Sequence, residues 1–244
     1  MNDEMVRDLR ALGVRPGDVL LMHSSFSSLG GIAPDEAVGA LVEALGAEGT
    51  LVLPALSYRD VTRQNPAFDV AATPSCVGFL TEYFRTRVQG VVRSVHPTHS
   101  CCAKGARAEE MTRDHHLDHT PVGPNSPFRK LRDVGGKILF LGCGTGPNTS
   151  MHGVEELVVP DYLFGEPCVY RVDDGVHSYE KLYDKHYFRY TRQRYDRLEA
   201  LLEGGEIARG NVLRASCVLM DARAVWEKGY AALKRDSHFF VEPE

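Results

Sequence analysis

The sequence predicts an α/β protein with a central mixed, largely parallel β-sheet flanked by helices. Two short apolar runs, Asp18–Met22 and Thr50–Pro54, enclose a helix-like segment at Pro34–Leu45, which is the pattern of a parallel β-α-β unit. A third apolar run, Lys137–Gly142, follows a Gly-Gly break and is the clearest buried strand of the chain. Because no repeat and no Pro- or Ser-rich linker interrupts the sequence, we expect one domain over residues 1–244.

The remaining elements follow from the spacing of apolar residues and from the turn residues between them. Further helices are predicted at Glu4–Leu12, Val77–Thr86, Ala106–Asp114, Phe128–Val134, Asn148–Val159, Asp196–Leu202 and Ala222–Leu233. Further strands are predicted at Val91–Ser94, Cys101–Gly105, Cys168–Val172, His177–Glu180 and Val212–Leu219. The segment Ser57–Ser75 is polar and aperiodic, so it is predicted to be a long loop, and long loops in compact domains are usually functional.

The charge balance and the lengths of the apolar runs argue against several classes of protein. Lys and Arg total 28 against 33 Asp and Glu, and a formal charge of -5 disfavours nucleic-acid binding. The acidic N-terminus lacks the apolar stretch of a signal peptide, and no apolar run reaches the ~18 residues of a membrane span. The six cysteines form no C-x-x-C pair, so we expect reduced thiols in a cytoplasmic protein.

A glycine-rich turn follows the clearest strand. The segment Ile138–Gly146 resembles the first motif of S-adenosylmethionine methyltransferases, in which glycines let the backbone approach the cofactor. Against this interpretation, Phe140 stands where an acidic residue is usual and Pro147 alters the loop. Too few residues follow Gly146 to complete that sheet in its usual order. A methyltransferase therefore remains an alternative, beside a plain strand-to-helix turn that needs glycine φ angles.

The start of the next helix carries groups suited to acid-base chemistry. Asn148 or Thr149 is predicted to cap the helix, which leaves backbone N–H groups free to face a ligand. His152 and Glu155 are three residues apart and share one helix face. A carboxylate beside an imidazole raises its basicity, which is what a general base needs. The alternative is an ordinary capped helix with a surface His-Glu pair.

A metal site is a further alternative at the same place. The spacing of His152 and Glu155 also supplies half of a zinc site, and His115, His116 and His119 form a second histidine-rich group. That group lies in a Pro- and Gly-rich loop without a cysteine pair, and the sequence shows no complete set of three converging ligands. No metal is therefore expected.

Several segments together resemble the aminoglycoside 3-N-acetyltransferase family, also called antibiotic N-acetyltransferases. They occur in one order from about residue 15 to residue 157, and an ordered set is more specific than any single motif. The segments are His23–Gly30, Glu48–Pro54, Arg93–Ser100, a block with Ala103, Gly105, His115, Pro121, Gly123, Ser126, Pro127 and Leu131, and finally Leu141-Gly142 with Asn148–His152 and Glu155.

The resemblance implies an acetyl-coenzyme A-dependent transferase with a family-specific α/β fold, which differs from the common GNAT acetyltransferase fold. It implies that His152 is the general base, that Glu155 orients it, and that Thr149 and Asn148 lie at the start of the catalytic helix. The residues implied on the coenzyme side of the cleft are Ser24, Ser25, Ser27, Arg93, Ser94 and His96. Because the thioester is already activated, no covalent enzyme intermediate is required.

The resemblance also implies an amine as acceptor, with an aminoglycoside as the default. The tail beyond Leu157 is expected to shape the acceptor pocket, and this tail matches the family weakly. The resemblance therefore says least about the acceptor. Six acidic residues are candidates for an anionic pocket that would attract a polycation: Asp60, Asp69, Glu156, Asp161, Asp173 and Asp174. The alternative from a different class is a protein that keeps the fold and binds coenzyme A without turnover.

Overall fold

The computed structural model describes residues 2–244. Its helices are α1 (Asn2–Leu12), α2 (Pro34–Leu45), α3 (Phe79–Arg87), α4 (Ala108–Thr112), α5 (Pro127–Asp133), α6 (Ser150–Val158) and α7 (Ala222–Arg235). Its strands are β1 (Val19–Ser24), β2 (Thr50–Pro54), β3 (Ala67–Asp69), β4 (Val92–Arg93), β5 (Cys101–Gly105), β6 (Lys137–Leu141), β7 (Cys168–Asp173), β8 (Ser178–Tyr183), β9 (Thr191–Gln193), β10 (Ile207–Val212), β11 (Ala215–Asp221) and β12 (Val241–Pro243).

The main sheet has the strand order β10-β11-β6-β1-β2-β5-β4. Strand β1 pairs in parallel with β2 on one side and with β6 on the other. The other pairs of this sheet are antiparallel, because β11 returns beside β6 and β5 returns beside β2. The α/β class and the mixed sheet are confirmed. Within the main sheet, parallel pairing is confined to the three central strands, so "largely parallel" overstates it.

Alternation along β1 divides the core between the two faces of the sheet. Leu20 and Met22 point to a core shared with apolar residues of α1, α2 and α3. Val19 and Leu21 point to the opposite core, which is completed by α4, α5, α6 and α7. Since both faces of the central strands are covered, these strands are predominantly apolar, as the sequence indicates.

A smaller sheet, β3-β7-β8, lies in the second half of the fold, and β9 pairs with β12. The hairpin of β7 and β8 confirms the two predicted strands, which pair from Cys168–Tyr183 to Asp173–Ser178. Strand β3 falls inside the segment that was predicted to be a loop, where its pairing with β7 overrides weak local signals.

Two late elements differ from prediction. The helix predicted at Asp196–Leu202 is a 3₁₀ segment, Tyr195–Ala200. The strand predicted at Val212–Leu219 is the second half of the β10–β11 hairpin, and its turn places Leu213 at a φ of 51°. Alternation alone did not reveal this turn, since a leucine rarely adopts positive φ.

Two further features bear on the class of protein. Within residues 2–244, none of the helices combines the length and the apolar character that a membrane crossing requires. All six cysteines are free thiols.

Candidate active site

A cavity of about 600 Å³ lies where the three parallel strands end. Ser24 at the end of β1 and Pro54 at the end of β2 line it, together with Thr149 and His152 at the start of α6. Carboxyl ends of neighbouring parallel strands meet at one edge of a sheet, which is a usual position for a binding site in α/β proteins. The predicted strand-to-helix site is therefore at a cavity.

The glycine-rich turn shapes one wall of this cavity. Gly142 has a φ of 71°, and a Cβ at this position would collide with the Ser28 side chain. Glycine is therefore required there for steric reasons. Cys143 in the same turn lines the cavity, and burial raises the pKa of its thiol to about 11. This thiol is protonated at neutral pH and is a poor nucleophile.

Three histidines, His99, His152 and His186, converge at the cavity and are called here the histidine triplet. His152 Nδ1 lies 3.3 Å from His99 Nε2. The ring of His186 is centred 5.3 Å from that of His99 and 5.2 Å from that of His152. One ring nitrogen from each residue lies within 4.8 Å of the other two. The chain thus brings together segments that are far apart in sequence.

Burial dominates the electrostatics of these rings. It lowers the pKa of His152 well below 6.5, and the neighbouring His186 and His23 lower it further. His99 is shifted in the same direction, mainly by burial and then by His186. His152 keeps some exposure to the cavity, although protein surrounds its ring on the other sides. Both imidazoles are therefore neutral near pH 7 and hold an unshared electron pair.

Glu155 does not pair with His152 as the spacing predicted. Its carboxyl group is buried and accepts hydrogen bonds from the Tyr162 hydroxyl at 2.9 Å and the Tyr195 hydroxyl at 2.7 Å. Burial raises the pKa of Glu155 to about 8, so the carboxyl group is mostly protonated at neutral pH. Tyr195 lines the cavity, and its ring is centred 5.7 Å from that of His152. Glu155 thus reaches His152 only through Tyr195.

The predicted helix cap also differs. Thr149 occupies the N-cap position of α6 without a side-chain capping bond, and its hydroxyl makes only a 3.4 Å contact with the Pro147 carbonyl. Asn148 is fully buried, and neither polar atom of its amide has a hydrogen-bond partner among the described residues. Thr149 faces the cavity, whereas Asn148 and Glu155 are not among its lining residues.

The six residues expected on the coenzyme side separate into two groups. Ser24 lines the cavity, and the neighbouring Ser25 and Ser27 are at least partly exposed, with their hydroxyls 3.5 Å apart. Their polar groups are accessible to a ligand.

The second group does not line the cavity, and its side chains make hydrogen bonds within the protein instead. It consists of Arg93, Ser94 and His96. Arg93 donates to Ser100 Oγ and to backbone carbonyls. His96 Nδ1 accepts from the backbone N–H groups of Thr98 and His99. This segment therefore positions His99, because His96 accepts a hydrogen bond from the His99 backbone.

His96 and His115 form a second group of buried imidazoles, called here the histidine pair. Their rings stack with centroids 4.9 Å apart. His115 bonds Ser94 Oγ through Nδ1 at 3.0 Å and the Pro121 carbonyl through Nε2 at 3.3 Å. Since His115 is committed to these contacts and His116 and His119 are exposed, the histidine-rich loop does not join His152 in a metal site.

Several lining residues come from the second half of the chain and were not predicted. Lys185, Tyr187 and Phe188 line the cavity beside His186, and His99 was recognised within a motif without being assigned a role. His186 follows Lys185 in a segment with weak periodicity, and nothing in this local pattern indicates a site residue.

The six acidic candidates do not line this cavity. Glu156 is committed to Thr120 and to the Val122 N–H, and Asp161 is 81% exposed. Asp69 and Asp173 line a separate cavity on the small sheet. The expected anionic pocket is therefore not found at this cavity.

The family model described as aminoglycoside 3-N-acetyltransferase matches residues 21–234. The chain belongs to this family, which is a family of acyltransferases. It is 31% identical to the aminoglycoside N(3)-acetyltransferase IV of Salmonella sp over 98% of this chain and 90% of that protein. It is 35% identical to the aminoglycoside N(3)-acetyltransferase VII of Streptomyces paromomycinus over 63% of this chain, a match that spans 59% of the relative's length.

Solved structures agree in fold. The apoenzyme of aminoglycoside acetyltransferase AAC(3)-IVa superposes with a TM-score of 0.82 at 30% identity, covering 99% of this chain and 91% of that one. AAC-IIIb, solved as a binary complex with CoASH, superposes with a TM-score of 0.85 at 27% identity, covering 100% and 98%. The resemblance and the family-specific fold are confirmed, and the methyltransferase interpretation is wrong.

Proposed function

We propose that this protein transfers the acetyl group of acetyl-coenzyme A to an amine, with His152 as general base. The observation that carries the proposal is a neutral imidazole at the cavity whose Nδ1 is held 3.3 Å from His99 Nε2. The coenzyme comes from the family, in which AAC-IIIb was solved with CoASH. Six free thiols fit the reducing cytoplasm, which is the proposed location.

The contacts of His99 select the ring nitrogen of His152 that acts. Thr98 Oγ1 lies 2.9 Å from His99 Nδ1 and is able to accept or to donate there. The proposal assigns the ring proton to this nitrogen, with Thr98 Oγ1 as its acceptor, so that His99 Nε2 accepts from His152 Nδ1. His152 Nε2 is then left with an unshared pair. When Nε2 takes a proton, the bond from Nδ1 to His99 stabilises the imidazolium.

The lowered pKa of His152 suits a late proton transfer. A free amine is protonated at neutral pH, and burial in the cavity favours its neutral, nucleophilic form. As its nitrogen bonds to the thioester carbon, that nitrogen becomes strongly acidic, so even a weakly basic imidazole accepts its proton. The C–S bond then breaks, and the proton that His152 took from the amine passes to the sulfur. The coenzyme leaves as the thiol, and the imidazole is neutral again.

The other predicted site residues take supporting roles in the proposal. The hydroxyls of Ser24 and Thr149 line the cavity and are the candidate donors to the tetrahedral oxyanion. Ser25 and Ser27 are proposed to bind the coenzyme at the cavity mouth. Glu155 positions Tyr195 against the His152 ring. The supports beneath the site are Asn148, Arg93, Ser94 and His96.

The family makes an aminoglycoside the first candidate acceptor. A mutant of AAC(3)-IVa was solved in complex with a gentamicin, at 30% identity to this chain, and AAC-VIa was solved bound to sisomicin. The proposed product is an aminoglycoside acetylated on one amine, which removes one positive charge from the compound.

A second candidate, an amine of low charge, is favoured by the lining of the cavity. Its lining residues include Lys185 and four histidines but no carboxylate. A polycation gains most from a negative pocket, and a single lysine opposes it. Tyr58, Tyr187 and Phe188 supply aromatic surface instead, which suits an amine on an apolar or aromatic body.

The test is release of coenzyme A thiol from acetyl-coenzyme A over a panel of aminoglycosides, polyamines and singly charged arylalkylamines. We expect turnover that requires both substrates and falls by roughly 10²–10⁴ in His152→Ala. The matched control is His177→Ala, at a histidine that is 76% exposed. Turnover with arylalkylamines alone would select the second acceptor. Coenzyme A binding without turnover, indifferent to His152→Ala, would identify a binding protein and overturn the proposal.

A further inference from the structure

The histidine triplet has the chemistry of a metal site as well as that of a base. Its three ring nitrogens belong to separate parts of the chain, lie within 4.8 Å of one another, and border an open cavity. Three imidazoles with a fourth position open to solvent are the ligand set of a zinc-type site.

Distances support this assignment. Two imidazole nitrogens on a tetrahedral Zn²⁺ at ~2.0–2.1 Å are about 3.3 Å apart. His99 Nε2 and His152 Nδ1 have that separation, at 3.3 Å. The third nitrogen must move by roughly an ångström to complete the set, which a side-chain rotation supplies.

Groups behind the ligands are arranged as in metal sites. His186 Nε2 lies 2.9 Å from Glu156 Oε1, with both side chains only 3% exposed, although the contact is too bent for a good hydrogen bond. His186 Nδ1 is buried and has no hydrogen-bond partner among the described residues. Thr98 holds the other nitrogen of His99. A carboxylate or hydroxyl behind each histidine commonly orients ligating imidazoles.

We propose that His99, His152 and His186 bind a divalent transition-metal ion of the zinc class, and that the bound ion switches off acetyl transfer. Binding through His152 Nδ1 moves the ring proton to Nε2. Nε2 then has no free pair for the proton of the amine. The second half of the proposal, inhibition, rests on the proposed function, whereas the first half does not.

Metal binding is measured without substrate. Protein treated with a chelator is titrated with Co²⁺, and the visible band of tetrahedral Co²⁺ is followed and then displaced with Zn²⁺. We expect one site per chain, weakened by at least ~10–100-fold in His99→Gln and His186→Gln. Glutamine is used because it fills the buried space. His177→Ala and His238→Ala, at exposed histidines, should bind like the unaltered protein. No displaceable band, or equal affinity in the triplet variants, overturns the site.

Inhibition is measured by the acetylated product, because the released thiol itself binds Zn²⁺. We expect Zn²⁺ to lower turnover by the ~10² or more that a lost general base costs, and a chelator to restore it. The ratio of turnover with and without Zn²⁺ should approach one in His186→Gln, and basal turnover cancels from this ratio. A metal that binds at the triplet without lowering turnover overturns the inhibitory half. An absence of any acetyl transfer would count against the proposed function and leave the Co²⁺ result standing.

Discussion

The histidine pair and the histidine triplet contain the same side chain in opposite circumstances. In the pair, His115 uses both ring nitrogens on Ser94 and Pro121. His96 accepts from two backbone N–H groups through Nδ1, and its Nε2 is buried without a hydrogen-bond partner among the described residues and away from the cavity. In the triplet, His186 Nδ1 has no hydrogen-bond partner among the described residues, and His152 uses only Nδ1. The residues of the pair do not line the cavity, whereas all three residues of the triplet do.

The difference shows that burial does not separate a structural from a functional histidine. Burial lowers the pKa of His96, His115, His99 and His152 alike. What distinguishes the triplet is an unused nitrogen beside open space, where a proton or a cation can be received. Both groups of histidines contribute to stability, whereas only His152 and His99 of the triplet have a role in the proposed acetyl transfer. Variants of the two groups should therefore separate stability from turnover.

The largest expected effect is loss of stability in acid. Burial depresses the folded-state pKa of five histidines, with His23 and His115 at about 3: His23, His96, His99, His115 and His152. Below pH 6.5 the unfolded chain binds more protons than the folded one, so stability falls as the pH drops from 6.5 toward 3. Each group contributes up to about 1.4 kcal/mol per pH unit.

Denaturant titrations at pH 7, 6 and 5 test this slope. A total stability of about 5–15 kcal/mol would be exhausted within a few pH units. His115→Gln should reduce the slope, because it removes one of the buried titrating groups. A free energy of unfolding that stays flat between pH 6.5 and 5 would contradict the assignment of these rings as buried and neutral.

The second effect separates the pair from the triplet by stability. His115→Ala removes a fully buried ring and both of its hydrogen bonds, so we expect the free energy of unfolding to fall by about 2–4 kcal/mol. Turnover per folded molecule should change little, because His115 does not border the cavity. The adjacent exposed His116→Ala is the control and should stay within about 0.5 kcal/mol. A stable His115→Ala variant without turnover would move His115 into the site.

The third effect concerns His99, which we place as a positioning residue. His99→Leu removes the acceptor of the His152 Nδ1 proton. We expect kcat to fall about tenfold, because one hydrogen bond to a ring that becomes positively charged in the reaction is lost. His99→Gln offers an amide oxygen near the position of Nε2 and should recover part of the loss. KM for acetyl-coenzyme A should stay unchanged in both. Equal losses in the two variants would indicate a packing role only.

The sequence predicted the parts of the site that are local. Strands β1, β2 and β6 are short apolar runs, and His152 follows β6 at a recognisable helix start, so these could be read from spacing. The hydrogen-bond partner of His152 could not be predicted from spacing. His99 lies 53 residues away, and the Tyr195 that binds Glu155 lies 40 residues away. Such contacts depend on the order of strands in the sheet and on the position of a 3₁₀ segment. Neither can be predicted from the spacing of apolar residues along the sequence.

The fourth effect, the smallest at any single pH step, tests the protonated state of Glu155, where the prediction from spacing was most misleading. The folded-state pKa of about 8 lies above the ordinary value of 4.5, mainly because of burial. Between these values the folded chain binds more protons than the unfolded one, so Glu155 makes stability fall as the pH rises from 4.5 to 8. The slope is at most about 1.4 kcal/mol per pH unit and is opposite to that of the histidines.

Glu155→Gln keeps the shape and the contacts with Tyr162 and Tyr195 but cannot ionise. We expect this variant to gain stability relative to the unaltered protein as the pH rises from 6 to 8, in denaturant titrations at each pH. The Tyr162 hydroxyl already reaches the Ser237 carbonyl at 3.2 Å, so it can donate there while it accepts from a protonated Glu155 or from the glutamine amide. A difference in stability that does not change with pH would mean that Glu155 is ionised, and a carboxylate would then be available to support the imidazolium of His152 after all.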